Sequence, residues 1–134
     1  NEPRFAAVMQ RRAGQRESYA GGDVYVVSVA DGRWTPVTDG VHALRVLWSP
    51  DGALLAYPVF AGSVHPRQDW FEIRFVAVDG KPASEPTWAD EHAWFSWLPS
   101  GNRMLVCRDG KVVQLRWDGE RWLEEPWGAP DQPK

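Results

Sequence analysis

The side chains with chemistry to offer are few. The chain of 134 residues holds three histidines, one cysteine and nine tryptophans. His42, Asp90, Glu91 and His92 are residue types that ligate a divalent cation, but no short ligand spacing joins them into a site, and no metal is expected. Cys107 stands alone, which excludes an intramolecular disulfide and a cysteine-based zinc cluster. It lies in an apolar stretch and reads as a small core residue. The sequence contains no Gly-x-Ser-x-Gly elbow, no phosphate-binding loop and no His-Glu-x-x-His pair. The acidic pairs Asp90-Glu91 and Glu124-Glu125 read as loop and rim charge, not as facing carboxylates of a glycosidase. What remains is recognition chemistry. Arg45 has a guanidinium suited to a carboxylate or a peptide terminus. Trp70 stands near His65 and Arg67, an aromatic face beside polar and cationic groups.

Composition narrows the setting for these residues. Apolar residues are 43% and charged residues 25%, ordinary for a folded domain of this length. The net charge is −3, so no basic excess suggests nucleic acid or an anionic membrane surface. No apolar run approaches the roughly 20 residues of a membrane span, and no direct membrane insertion is expected. No signal peptide is visible. The segment 127–134 is Pro-rich and polar and reads as a flexible tail.

The elements that must position these side chains are strands. Helical periodicity is almost absent. Asp-Gly occurs six times, at Asp31, Asp39, Asp51, Asp79, Asp109 and Asp118, and supplies the positive φ angles of tight hairpin turns. The chain also repeats. Leu47-Trp48-Ser49-Pro50-Asp51-Gly52 matches Ser96-Trp97-Leu98-Pro99-Ser100-Gly101, with 49 residues from Trp48 to Trp97. Val24–Val29 into Asp31-Gly32, Phe71–Val78 into Asp79-Gly80, and Val112–Trp117 into Asp118-Gly119 form a second repeated element. A four-stranded antiparallel unit of about 40–50 residues is the blade of a β-propeller. The expected fold is therefore all-β, with about three four-stranded propeller blades: residues 4–40 (lacking an inner strand), 41–90 and 91–126.

Trp48-Ser49-Pro50-Asp51-Gly52 followed by Leu54-Leu55-Ala56-Tyr57 resembles the repeat of TolB-like β-propellers. Val24–Val29 with Ala30-Asp31-Gly32, and Pro36-Val37-Thr38, fit the same repeat. The resemblance implies a bacterial, extracytoplasmic protein, periplasmic or at the cell surface, that acts through protein contacts. Rings usually have four to eight blades, so three would leave exposed sheet faces. Self-association to close a ring, the remaining blades of a longer chain, and a different capping partner are the alternatives, with self-association favoured.

Blade topology gathers the long loops, Arg12–Gly22 and Gly62–Trp70, on one face with the connections around His42 and His92. The expected binding residues are Tyr19, His42, Arg45, His65, Arg67, Trp70, His92 and Trp94, with protein or peptide as partner and no cofactor. Trp48, Trp97, Trp34 and Trp122 recur at repeat positions and are expected to pack between blades. The expected function is a non-catalytic binding scaffold. A substrate-gating propeller of a prolyl-oligopeptidase-like hydrolase and an extracytoplasmic sensor domain are the alternatives.

Overall fold

A computed structural model describes residues 4–9, 22–65, 68–81, 83–100 and 102–126. The described residues form eleven strands and no helix: β1 (Arg4–Met9), β2 (Asp23–Ser28), β3 (Trp34–Pro36), β4 (Leu47–Trp48), β5 (Leu54–His65), β6 (Gln68–Ala77), β7 (Thr87–Ala89), β8 (Phe95–Trp97), β9 (Arg103–Arg108), β10 (Lys111–Trp117) and β11 (Trp122–Glu125). They pair antiparallel in chain order as three sheets, β1-β2-β3, β4-β5-β6-β7 and β8-β9-β10-β11. The described residues are thus all-β, in three antiparallel sheets of three, four and four strands.

The Asp-Gly steps act as the turn chemistry requires. All six of their glycines, Gly32, Gly40, Gly52, Gly80, Gly110 and Gly119, have positive φ. Four of the aspartates accept the backbone N–H two residues on: Arg33 on Asp31, Ala53 on Asp51, Lys81 on Asp79 and Glu120 on Asp118. Gly80 has a second constraint. A Cβ there would stand 3.2 Å from the carbonyl oxygen of Val37, where the second sheet's turn approaches the first sheet.

One region departs from expectation. Residues 62–70 were expected to be a long loop. Residues 62–65 and 68–70 instead extend the β5–β6 hairpin, with Gly62 opposite Trp70, Ser63 opposite Asp69 and His65 opposite Gln68. Two register shifts, between Phe60 and Gly62 and between Ser63 and His65, absorb the irregular sequence while the ladder continues. The inner strand of the second sheet is short. Only Leu47–Trp48 pair as a strand, while Ala43 bridges to Gly22 of the first sheet's segment and to Val59 of the second.

Alternation along each strand sends one face of a sheet to each neighbour. Val24, Val26 and Val37 of the first sheet meet Leu55, Tyr57, Val59 and Val76 of the second. The opposite face of the second, with Ala56, Ile73, Phe75 and Ala89, meets Phe95, Met104, Val106 and Leu115 of the third. Trp97 and Trp122 seal this second core: Trp122 stacks on Phe75 at 5.5 Å and 26°, and Trp97 meets the same ring edge-on at 5.8 Å. Trp48 packs against the first core as expected for its repeat position. Trp34 does not follow its counterpart Trp122. It is 45% exposed, touching Phe5 and Tyr25 on the face of the first sheet turned away from the second. The physical reason is that no described sheet lies against that face.

The outer face of the third sheet is different in chemistry. Glu125 accepts from Arg103 Nε at 2.6 Å and Gln114 Nε2 at 2.8 Å, with Arg116 at 3.6 Å. Arg103 chiefly holds the Glu125 carboxyl below its ordinary value, against the opposing effect of burial. A lowered folded-state pKa contributes stability above the ordinary carboxylate range and loses it as pH falls through the folded value. Glu125→Gln should therefore cost about 1 kcal/mol at neutral pH. Urea unfolding should show that difference closing in acid; a difference independent of pH would remove the network from the account.

Candidate functional site

Between the first and second sheets runs a groove of about 630 Å³, a size ordinary for a small-molecule site. Its apolar wall comes from Val37, Val41 and Phe75, and its polar groups from Thr38, Asp39, Tyr57, Arg74 and Ser84. Each is placed by strand or turn geometry. Tyr57 and Arg74 stand directly opposite one another on β5 and β6, so their side chains share a sheet face. Burial pushes the Tyr57 hydroxyl up in pKa, against the lowering effect of the nearby Arg74 guanidinium. Arg74 Nε also donates to Glu72 at 2.7 Å. Ser84 lies in the segment between β6 and β7, and its Oγ is shielded from solvent with no hydrogen-bond partner among the described residues. A buried hydroxyl without a partner is unfavourable unless something completes it.

A second cluster lies where the segment after β7 meets the end of β9. Asp90, only 1% exposed, is held by backbone groups. Its own N–H donates to Cys107 O, Ala93 N–H donates to Asp90 O, and Cys107 N–H donates to Trp94 O. Asp90 Oδ1 accepts the His92 N–H at 3.0 Å and stands 3.0 Å from His92 Nδ1. Its Oδ2 accepts Gly110 N–H at 2.9 Å. Burial works to raise the Asp90 pKa, but the N–H groups of Gly110 and His92 prevail and hold it below its ordinary value. Cys107 Sγ lies 3.9 Å from the same His92 Nδ1. Burial, then the adjacent Asp90, push the Cys107 thiol up.

The residues singled out from sequence are dispersed. Tyr19 and Arg67 lie outside the described residues. His65 belongs to strand β5 rather than to a loop. His42 and Trp94 are exposed, at the segments entering the second and third sheets. Trp70 is half-buried on β6, its indole nitrogen 4.0 Å from the position a Cβ on Gly62 would take. His92 alone joins a cluster, and His42 and Glu91 are not in it. Cys107 is half-exposed and faces that cluster, which corrects its reading as a core residue. Its strand places it on the outer face of the third sheet, where apolar neighbours in sequence say nothing about burial.

Arg45, expected as a ligand group, makes contacts within the structure. Its Nη2 donates to Ala93 O at 2.8 Å, and its guanidinium lies 4.9 Å from the Phe95 ring centroid. The φ of +53° at Ala93 turns that carbonyl within reach. Arg45 thus ties the second sheet to the third. Arg108 makes a parallel tie from the third sheet back to the second, bonding Trp88 O and Thr87 Oγ1 while lying 4.6 Å from the Trp88 ring. The groove residues Tyr57, Arg74 and Ser84 were missed, because the β5–β6 register that sets Tyr57 opposite Arg74 is written in no motif or spacing.

No family model and no curated protein matches this sequence. Among solved structures, the chain is similar to a protein from Bacteroides fragilis described as a putative 6-phosphogluconolactonase. The match has a TM-score of 0.51 at 21% identity, and covers 87% of this chain and 36% of the other. The chain thus spans about a third of that structure's length, and the likeness is one of fold. It corrects the expectation of a non-catalytic scaffold. That expectation took this arrangement of sheets for a binding platform because local catalytic motifs are missing, and the same arrangement occurs in a protein described as an enzyme. Sites built from several sheets leave no local motif to find.

Arg45→Met should lower stability by about 1–3 kcal/mol through loss of the Ala93 bond and the ring contact. Chemical denaturation tests this; unchanged stability would return Arg45 to the pool of free ligand-binding groups.

Proposed function

We propose that the three sheets are consecutive blades of a larger, enzyme-type propeller acting on a sugar-acid lactone, and that the groove between the first two sheets holds the anionic, hydroxyl-rich part of the substrate. The observation that carries this reading is Ser84. Ser84, whose Oγ is shielded and unpartnered, lines a groove that also presents a guanidinium and a phenol. A polyhydroxy acid or its phosphate ester offers the complementary groups, acceptors for Arg74 and Tyr57 and a hydroxyl for Ser84. The fold likeness to a protein described as a putative 6-phosphogluconolactonase supports the lactone as the substrate class. The groove is assigned to holding substrate, not to activating water.

The repeat supports the larger ring. Trp122 covers Phe75 of the sheet before it, whereas Trp34, at the corresponding place in the first sheet, is half-exposed beside Phe5 and Tyr25. A further sheet of the same kind fits that aromatic face. In the isolated chain, a second copy supplies it.

The stable product 6-phosphogluconate is the probe, followed by nuclear magnetic resonance titration of the wild type, Arg74→Met and Ser84→Ala. Saturable binding with a dissociation constant of about a millimolar or better is expected, weakened about tenfold by Arg74→Met. Absence of saturation, or equal binding by both variants and the wild type, would overturn the assignment.

A further inference from the structure

Asp90, His92 and Cys107 bring three kinds of metal-ligating atom together at one end of the third sheet. One carboxylate oxygen, one imidazole nitrogen and the thiol sulfur all lie within 4.8 Å of one another. Two readings of this cluster make opposite demands on the histidine. A nucleophile relay uses both ring nitrogens, one toward the thiol and the other toward the carboxylate. Here the carboxylate at 3.0 Å and the sulfur at 3.9 Å both address Nδ1. That convergence defeats a relay and suits chelation, because all three donor atoms lie within 4.8 Å of one another.

We propose that Asp90 Oδ1, His92 Nδ1 and Cys107 Sγ bind a borderline-soft divalent cation, of which zinc is the type. Tetrahedral zinc, with bonds of about 2.3 Å to sulfur and 2.0–2.1 Å to nitrogen and oxygen, separates sulfur from nitrogen by about 3.6 Å and nitrogen from oxygen by about 3.3 Å. The observed separations, 3.9 and 3.0 Å, each lie about 0.3 Å from these values. The His92 side chain is 60% exposed, so its ring is free to make so small an adjustment. On ligation the thiol loses its proton to solvent, and the neutral imidazole carries its proton on Nε2, so that Nδ1 exchanges its hydrogen bond to Asp90 for the cation.

The supporting contacts are those a built site needs. Asp90 is fixed by Gly110 N–H on the oxygen that does not face the imidazole, and by His92 N–H on the one that does. A carboxylate oxygen has lone pairs enough for a backbone donor and a metal. The backbone bonds Asp90 N–H to Cys107 O and Cys107 N–H to Trp94 O lock the two ligand-bearing segments together. Such supporting bonds orient ligands and sustain affinity. A sulfur among the three donors selects against magnesium and calcium. Three protein ligands leave a fourth position for water, and the exposure of His92 gives solvent access to it. The site is thus an open Lewis-acid centre rather than a closed structural one. It does not depend on the groove assignment.

The test is titration of the full chain, free of any histidine tag, with cobalt(II) as a visible stand-in and zinc as competitor. One equivalent should bind, with tetrahedral visible bands and a near-ultraviolet thiolate-to-cobalt band that zinc displaces. Cys107→Ser should abolish the thiolate band. It should weaken zinc binding by more than the roughly 10–100-fold that loss of a supporting partner costs. His92→Gln should weaken binding while keeping the circular dichroism of the fold. No thiolate band in the wild type, or zinc binding unchanged by both substitutions, would overturn the site.

Discussion

The contact on which the structure depends is the packing of Trp122, stacked, and Trp97, edge-on, against Phe75, a ring from the preceding sheet. Three short sheets, none with an apolar face broad enough to stand alone, become one body because each covers its neighbour. Aromatic rings give the largest buried area per residue, and offset or edge-on contacts add to it. The two arginine ties act across the same boundary. Arg45 reaches forward from the second sheet and Arg108 reaches back from the third, each satisfying a carbonyl and lying over a ring. Their charges are partly desolvated, which lowers the pKa of both. They act as parts of the packing.

Serial packing explains the positions of the two clusters. The groove lies at the first boundary, where Gly80 lets a turn of the second sheet approach Val37 of the first. The Asp90–His92–Cys107 cluster lies where a segment leaving the second sheet is pinned to the end of β9. Both therefore exist only once the sheets are stacked. Serial packing also exposes an asymmetry between the ends. The outer face of the third sheet carries the Arg103–Glu125–Gln114 network, whereas that of the first carries Phe5, Tyr25 and Trp34. Terminal repeats with polar outer faces tolerate solvent, and an aromatic one calls for a cover.

Much of the fold was legible because its signals are local. Asp-Gly steps dictate positive φ and so mark the hairpins, and Trp48 and Trp97 mark the same place in successive repeats. The extension of the β5–β6 hairpin to His65 was hidden, since Gly62 and the polar residues around it carry loop composition while register shifts keep the ladder intact. Trp34 was misplaced for a different reason: a repeat position states what a residue packs against only when the neighbouring sheet is present. The clusters were the least legible. His92 was visible as a metal-ligating type, but Cys107 lies 15 residues away on another element. Ser84, Arg74 and Tyr57 belong to one sheet, but the register that sets Tyr57 opposite Arg74 leaves no motif in the sequence.

The central claim is that the aromatic face of the first sheet is an inter-sheet surface of the same kind as the one sealed by Trp122. Light scattering across a concentration series tests it on the wild type and Trp34→Glu. The account predicts that the 15.2 kDa chain associates as concentration rises and that the charge at Trp34 returns it to monomer. A wild-type chain that stays monomeric throughout, or association that Trp34→Glu leaves unchanged, would contradict it.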